Sequence, residues 1–191
     1  MPDEESYYYG RAWVDRRGRA CRSKRHARSF HVFENEFPTP TEYEGRTYPS
    51  AYHAFQAARY ADESRAPLEA RPAGARAMSA HEARAYGSRA DLALLPNFVA
   101  DRAGIMRAIL RAKFASSQPL LQALLRTGSR PLCYDCMCPV WGTCAGKGRN
   151  VHGNLLASLR DELRAEVARL WAAHESAPEG QTGAEANVDA T

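Results

Sequence analysis

The 191-residue sequence has no apolar run near the roughly 18 residues that a membrane-spanning helix needs. Its N-terminus also has no apolar signal-peptide core. We therefore expect a cytoplasmic or nuclear protein that is not secreted and has no membrane partner. No internal repeat is present, which argues against a solenoid or propeller architecture.

Lysine is scarce, since it occurs only at positions 24, 113 and 147 among 26 basic residues. The other basic residues are arginines, which bind phosphate through paired hydrogen bonds, although codon composition would give the same bias. The five cysteines are odd in number, and without a secretory signal this argues against a disulfide scaffold. With 45% hydrophobic and 25% charged residues, the chain has the composition of a soluble globular protein.

Composition divides the chain into three parts. Residues 1–28 are predicted to be a basic, flexible N-terminal extension, residues 29–173 a single domain, and residues 174–191 a disordered acidic tail. The basic run within 11–28 is suited to nucleic-acid binding or nuclear import, but such a run is more often a solvated mobile segment.

Hydrophobic periodicity predicts a mostly helical α+β fold with a small sheet. Strands are expected at residues 29–33 and 132–134, and a hairpin at 42–48 that turns at Glu44-Gly45. Helices are expected at residues 51–62, 77–87, 101–114 and 120–125, and from residue 154 onward.

A glycine-rich stretch at residues 141–153 precedes the last predicted helix. Its glycines would allow close backbone approach to a ligand, and amides at a helix start favour an anion. This pattern predicts one wall of a phosphate-binding site, with a plain glycine-rich connector as the alternative.

The helix predicted at residues 51–62 carries Tyr52, Gln56 and Arg59 on one face, beside Phe55. Tyr and Gln together are unusual on a solvent-facing stripe. The stripe therefore predicts a pocket wall, with a half-buried packing face as the alternative.

Four cysteines lie within twelve residues of one another. A tetrahedral zinc site needs four thiolate or imidazole ligands, and this segment supplies one Cys-x2-Cys pair with irregular spacing beyond it. The alternative is a set of small buried thiols. The predicted zinc ligands are Cys133, Cys136, Cys138 and Cys144.

Four short stretches together resemble a known family. They are Phe33-Glu34-Asn35; Tyr48-Pro49 with His53 and Phe55-Gln56-Ala57; Phe98 with Met106-Arg107 and Leu110-Arg111-Ala112-Lys113-Phe114; and Trp141-Gly142 with Gly146-Lys147-Gly148-Arg149-Asn150 and Gly153-Asn154-Leu155-Leu156. In this order and spacing, over residues 30–164, the chain resembles the NADAR family of YbiA-like domains.

The resemblance implies a compact α+β domain and hydrolysis of an N-glycosidic bond to a phosphorylated ribose, including riboflavin-pathway intermediates or ADP-ribose on guanine. It implies no metal or organic cofactor. It also implies acidic residues before the helix histidine and after Trp-Gly, where this chain has Tyr52 and Thr143. Arg59 replaces a common lysine. The segment before the tryptophan, where the family commonly has acids, contains Cys133, Tyr134 and Cys138.

Three functions follow as hypotheses. The first is an N-glycosidase with Tyr52 and His53 as catalytic residues. The second is a catalytically inactive module that binds a phosphorylated ribose or an ADP-ribose-like ligand, and the third is a nucleic-acid-associated protein that uses the basic N-terminal segment. Loss of the acids favours binding over catalysis, although Glu34 or Asp135 could supply a relocated carboxylate. The predicted ligand-binding residues are Asn35, Gln56, Arg59, Trp141, Gly142, Gly146, Lys147, Gly148 and Asn150.

Overall fold

The computed structural model describes residues 7–9, 13–14, 20–21, 28–72, 75–144 and 146–176. In these residues the chain has the predicted mostly helical α+β fold. The helices are α1 (Ala51–Ala57), α2 (Ala80–Tyr86), α3 (Phe98–Ala115), α4 (Gln118–Leu125) and α5 (Val151–Glu175), with 3-10 turns at Arg28–Phe33, Asp62–Ser64 and Ala66–Leu68. The strands are β1 (Tyr7–Tyr9), β2 (Trp13–Val14), β3 (Ala20–Cys21), β4 (Thr41–Tyr43), β5 (Arg46–Tyr48) and β6 (Leu132–Tyr134).

Helix α3 separates two hydrophobic clusters. One of its faces packs with α4, β6 and α5, and Ile109 on another face packs with α1 and the turn at Ala66–Leu68. Burying two faces of one helix fixes α1 relative to β6, which matters because α1 and the loop after β6 form the cleft described below. The first cluster comprises Phe33, Met106, Leu110, Phe114, Leu120, Leu124, Leu132, Leu156, Leu159 and Leu163.

The strands form three short pairs. Strands β4 and β5 make the predicted hairpin, and its two turn residues Glu44 and Gly45 have φ of 48° and 72°. These left-handed values are those of a tight hairpin turn, which confirms the turn position. Strand β1 pairs in parallel with β6, and β2 pairs antiparallel with β3.

One predicted strand is wrong. Residues 28–33 form a 3-10 helix, and Phe33 at its end is fully buried in the first cluster. Phe30 and Phe33 are three residues apart, which is the repeat of a 3-10 helix. The aromatic residues of this segment therefore fit a 3-10 helix as well as the predicted strand. The other predicted helices and β6 are confirmed, with α1 shorter than expected at Ala51–Ala57.

The two predicted flanking segments are covered in part. The first 28 residues contain β1, β2 and β3, and most of the basic run lies outside the described residues. Helix α5 continues to Glu175, and the rest of the predicted tail also lies outside them. Among the described helices, none combines the length and apolar character that crossing a bilayer requires.

Candidate functional site

A cleft of about 540 Å³ lies between α1 and the loop that follows β6. Helix α3 forms its floor through Met106, which is 2% exposed. The lining mixes aromatic rings, amides and one residue of each charge, which is the usual chemistry of a small-molecule site. The lining residues are Asn35, Glu36, Tyr52, Phe55, Gln56, Arg84, Met106, Tyr134, Cys136, Met137, Cys138 and Trp141.

A side lobe of about 280 Å³ adjoins the cleft. Ala80 and His81 of α2 line the side lobe but not the cleft. The residues lining both cavities are Glu36, Arg84, Tyr134, Cys136 and Met137. A ligand that fills both cavities would therefore lie against Glu36 and Arg84.

Glu36 gives the cleft a carboxylate that the sequence reasoning did not identify. The sequence suggested two other carboxylates, Glu34 and Asp135. The Glu34 side chain is 2.7 Å from His31 Nδ1, and the main-chain oxygen of Glu34 accepts a hydrogen bond from Lys113 Nζ. Asp135 lines neither cavity. The position of Glu36 directly after Asn35, a predicted ligand-binding residue, was the only signal available in the sequence.

Arg84 of α2 supplies the cation. Its Nε donates a hydrogen bond of 3.2 Å to the phenolic oxygen of Tyr52. The pKa of Arg84 is raised, chiefly by this hydrogen bond and the nearby Tyr52 oxygen, and to a smaller extent by the negative charge of Glu36. Arg84 therefore remains charged in the cleft and lies near both Tyr52 and Glu36.

The stripe predicted on α1 forms the pocket wall only in part. Tyr52 and Gln56 line the cleft, whereas Arg59 turns aside and donates a 2.7 Å hydrogen bond from Nη1 to Gln56 Oε1. The Arg59 guanidinium also lies 5.9 Å from the centre of the Phe98 ring. Arg59 thus holds the buried Gln56 amide in place instead of lining the cavity.

Trp141, a predicted ligand-binding residue, lines the opposite wall of the cleft. Its ring meets Phe55 edge to face with centroids 5.4 Å apart, and Phe55 also packs against Phe98 at 5.4 Å. These aromatic contacts fix the orientation of the indole across the cleft from Gln56.

His53 does not meet the geometry expected of a catalytic residue. It is 4% exposed, its Nδ1 is 2.8 Å from Ser50 Oγ, and its Nε2 is 2.8 Å from the carbonyl oxygen of Met78. Because a carbonyl only accepts, Nε2 carries the proton and the ring is held between two partners outside the cleft. Burial lowers its pKa, so the neutral ring has a structural role at the start of α1.

The glycine-rich stretch does not present its amides to a ligand. The six consecutive main-chain amides from Lys147 to His152 donate to carbonyl oxygens of Cys144, Thr143, Pro139, Gly142, Val140 and Trp141, in that order. An anion site needs unpaired amides, and these are all used within the fold. The expectation that this loop binds phosphate through its main chain is therefore wrong.

Two of the predicted glycines serve close packing. A Cβ on Gly142 would lie 2.4 Å from Cys136 Sγ, and one on Gly148 would lie 2.1 Å from the Gly142 oxygen. Gly146 has φ of 87°, and both it and Lys147 are exposed away from the lining residues. These glycines shape the loop that positions Trp141.

Asn150 also has a structural role in place of the predicted ligand contact. Its Oδ1 accepts from the amide of Tyr134 at 2.9 Å, and its Nδ2 donates to the carbonyl of Leu132 at 2.8 Å. Both ends of the amide are thus bonded to β6, and a φ of 51° starts α5 at that point. Asn150 joins β6 to α5.

The cysteine segment does not assemble a zinc site within the described residues, where no group of three or more His, Cys, Asp or Glu side chains could hold a metal ion. Cys136 and Cys138 instead line the cleft. Burial raises the pKa of Cys136 to about 11, which keeps it a neutral thiol. The alternative prediction of small buried thiols fits this placement better than the zinc prediction does, although the four thiols are only partly buried.

Asn35, the remaining predicted ligand-binding residue, lines the cleft from the segment after the first 3-10 helix. Its Oδ1 lies 2.7 Å from Nε2 of His152, which is fully buried, and its main-chain oxygen accepts from the amide of Tyr52 at 2.8 Å. One residue thus connects the starts of α1 and α5 at the cleft.

Comparison with known proteins supports the same family as the sequence motifs. The family model described as the NADAR domain matches residues 7–164. The chain is 32% identical over 136 residues to the N-glycosidase YbiA of Escherichia coli (strain K12), a match that covers 70% of this chain and 82% of that protein. The corresponding proteins of Shigella boydii serotype 4 (strain Sb227) and Shigella sonnei (strain Ss046) give the same figures.

A solved structure agrees in fold. The NMR structure of the E. coli protein YbiA superposes with a TM-score of 0.64 at 26% identity, covering 85% of this chain and 88% of that one. With the family model spanning most of the sequence and the relatives sharing its fold, the chain belongs to the NADAR domain family.

Proposed function

We propose that the protein is an N-glycosidase that hydrolyses the bond between a phosphorylated ribose and a nitrogen atom in the cleft between α1 and Trp141. The observation that carries this proposal is Glu36, a carboxylate in a cleft that also presents Arg84, Asn35 and Gln56. The relatives named N-glycosidase support the reaction class.

A carboxylate at this place supplies the chemistry that such a reaction needs. As the bond from C1 to nitrogen breaks, its electron pair leaves on nitrogen and positive charge develops on the sugar, where Glu36 would stabilise it. The oxygen of a water molecule bonds to C1. One of its protons passes through Glu36, and the net proton is delivered to the departing nitrogen.

The other lining groups suit a phosphorylated ribose or an ADP-ribose-like ligand. Arg84 offers a guanidinium for phosphate, the amides of Asn35 and Gln56 offer hydrogen bonds to hydroxyl groups, and Trp141 offers a flat apolar face for a base or a ribose. Because the six main-chain amides from Lys147 to His152 are all paired within the fold, phosphate recognition is assigned to Arg84.

Glu36→Gln tests the proposal, since it removes the charge and keeps the shape. Purified variants are incubated with ribosylaminouracil phosphates and with ADP-ribosylated guanine, and the released base is measured by chromatography. We expect kcat to fall by roughly 10²–10³-fold while ligand affinity stays within a few-fold. Glu42→Gln, at the exposed position of β4, is the matched control. An unchanged rate in Glu36→Gln would remove Glu36 from the mechanism.

A binding module without catalysis is the second candidate. It is favoured by Tyr52 and Thr143, which occupy two positions where the family resemblance implied acids. In that case the wild-type protein binds ribose phosphates but releases no base from ribosylaminouracil phosphates or from ADP-ribosylated guanine.

The proposed nucleic-acid partner rests on the basic run alone, most of which lies outside the described residues. Binding to DNA or RNA that survives deletion of residues 1–28, or that does not weaken with salt, would contradict it.

A further inference from the structure

We infer that His152 is a positioning residue that holds the Asn35 amide with its oxygen turned into the protein, so that Asn35 presents its NH2 group to the cleft. The site would then select a ligand oxygen that accepts a hydrogen bond at this point. The inference deepens the proposed function and rests on it, because it names the ligand chemistry facing Asn35.

The contact itself is short and buried. His152 is the second residue of α5 and is 0% exposed, and its Nε2 lies 2.7 Å from Oδ1 of Asn35, which is 9% exposed. The main-chain amide of His152 donates to the Trp141 oxygen at 3.1 Å, so the backbone that carries the imidazole is anchored to the opposite cleft wall. The geometry leaves the ring little freedom to move away.

The chemistry of the two atoms sets the proton position. A carbonyl oxygen only accepts, so Nε2 must donate, and the imidazole is the neutral tautomer with its proton on Nε2. Burial, together with the nearby positive charge of Lys113, lowers the pKa of His152 to about 3, so the ring does not charge near neutral pH. The donor is therefore constant over the working pH range.

The other end of the Asn35 amide is left for the ligand. Within the described residues Nδ2 has no hydrogen-bond partner, and it is not among the fully buried unpartnered atoms, so it is accessible. Since Asn35 lines the cleft, this NH2 group is a donor directed at whatever occupies the cavity. A hydroxyl or phosphate oxygen satisfies it, whereas a second donor does not.

His152 also supports a second lining residue. Its ring centre lies 4.8 Å from that of Tyr134, which lines both the cleft and the side lobe. A structural role through Tyr134 alone would not depend on Asn35, and this difference makes the inference testable.

A double-mutant cycle separates the two roles, with ribose 5-phosphate as the probe and calorimetry as the measurement. His152→Leu should weaken binding by roughly five- to tenfold, the effect of one hydrogen bond. In an Asn35→Ala background the same change should add almost nothing, because the group it orients is gone. Additive effects would overturn the inference.

Two further variants sharpen the result. His152→Gln retains an N–H donor and should restore most of the affinity. Asn35→Asp can still accept from His152 but has no NH2 group, and should bind as weakly as Asn35→Ala. An Asn35→Asp variant with wild-type affinity would show that Asn35 does not act as a donor.

Nitrogen-15 NMR of the ligand-free full-length chain tests the proton position without any ligand. The His152 signals, identified by their loss in His152→Gln, should show a protonated Nε2 and an unprotonated Nδ1 at pH 7. An Nδ1–H tautomer or an imidazolium would overturn the inference. If wild-type protein neither binds ribose phosphates nor releases base, the proposed function fails, and the NMR result still decides the orientation of Asn35.

Discussion

The Nε atom of Arg84 donates a hydrogen bond to the phenolic oxygen of Tyr52 over 3.2 Å, and this contact joins α2 to α1 where the cleft meets the side lobe. A capping box between Ser79 and Glu82 stabilises the start of α2, the helix that carries Arg84. The guanidinium is therefore oriented by its own hydrogen bond before a ligand arrives, which reduces the ordering that binding requires.

Arg84→Gln should weaken the binding of ribose 5-phosphate by about tenfold or more, because a charge-assisted hydrogen bond to phosphate is lost. The loss should shrink at 0.5 M salt, where the wild-type attraction is screened. Calorimetry at two salt concentrations measures both effects. Arg89→Gln is the control, since Arg89 pairs with Asp91 and lines neither cavity. Equal losses in the two variants would exclude a specific role for Arg84.

Ala80→Phe should fill the side lobe without altering the cleft, because Ala80 lines only the lobe. We expect the variant to keep its affinity for ribose 5-phosphate and to lose affinity for ADP-ribose, if the lobe holds the part of the ligand beyond the phosphate. Thermal shift with both ligands provides the measurement. Ala85→Phe adds the same ring to the exposed face of α2 as a control. Unchanged ADP-ribose binding in Ala80→Phe would exclude the lobe from ligand recognition.

Tyr52→Glu places an acid where the family resemblance implies one. Since Glu36 already lines the cleft and the new carboxylate would pair with Arg84, we expect kcat/KM to change by less than about tenfold. The measurement compares base release by Tyr52→Glu with base release by the double variant that also carries Glu36→Gln. A gain of a hundredfold or more in Tyr52→Glu would instead favour the binding module that lost its catalyst.

Local pattern predicted much of the fold and part of the site. Helical periodicity identified α3 and α5, and Glu44-Gly45 identified the hairpin turn, because these signals depend on residues close in sequence. Tyr52 and Gln56 were likewise recognised from their common face on α1.

The errors arose where the role of a residue depends on its contacts in the folded chain. The glycine-rich loop has the composition of an anion site, but its amides pair with carbonyls that follow β6, and no local pattern shows this. Glu36 was missed because only the packing of its segment against α1 and α2 brings it to Arg84. His53 is a plausible catalytic residue in sequence, and only its burial and its contacts with Ser50 and Met78 show its structural role.

Asn150→Ala should destabilise the protein without directly altering ligand affinity. The substitution leaves the amide of Tyr134 and the carbonyl of Leu132 without their partner and puts alanine at a φ of 51°. We expect the free energy of unfolding to fall by about 2–4 kcal/mol. Urea unfolding measures the change, and Asn154→Ala, exposed on the same helix, is the control. If the variant is fully stable but no longer binds ligand, Asn150 is a ligand-binding residue and not a structural one.

Lys113→Met should remove a pH dependence of stability. The Lys113 ammonium is fully buried and donates to the Glu34 oxygen at 2.7 Å, and burial lowers its pKa from 10.5 to about 7. Between these values the unfolded chain binds a proton that the folded chain does not, so stability rises with pH. The contribution of Lys113 to this rise should be about 3 kcal/mol from pH 7 to 9.5.

Urea unfolding at several pH values in that window measures the slope. Cys136 and Tyr43, whose pKa values are raised to about 11 and to about 12, oppose this rise, because above about pH 9 and pH 10 respectively the unfolded side chain ionises first and stability falls. The contribution of Lys113 is therefore the difference in slope between the wild type and Lys113→Met. Lys147→Met, at an exposed lysine, should keep the wild-type slope. If Lys113→Met also keeps it, another group causes the pH dependence, and the buried lysine is not neutral in the folded protein at high pH.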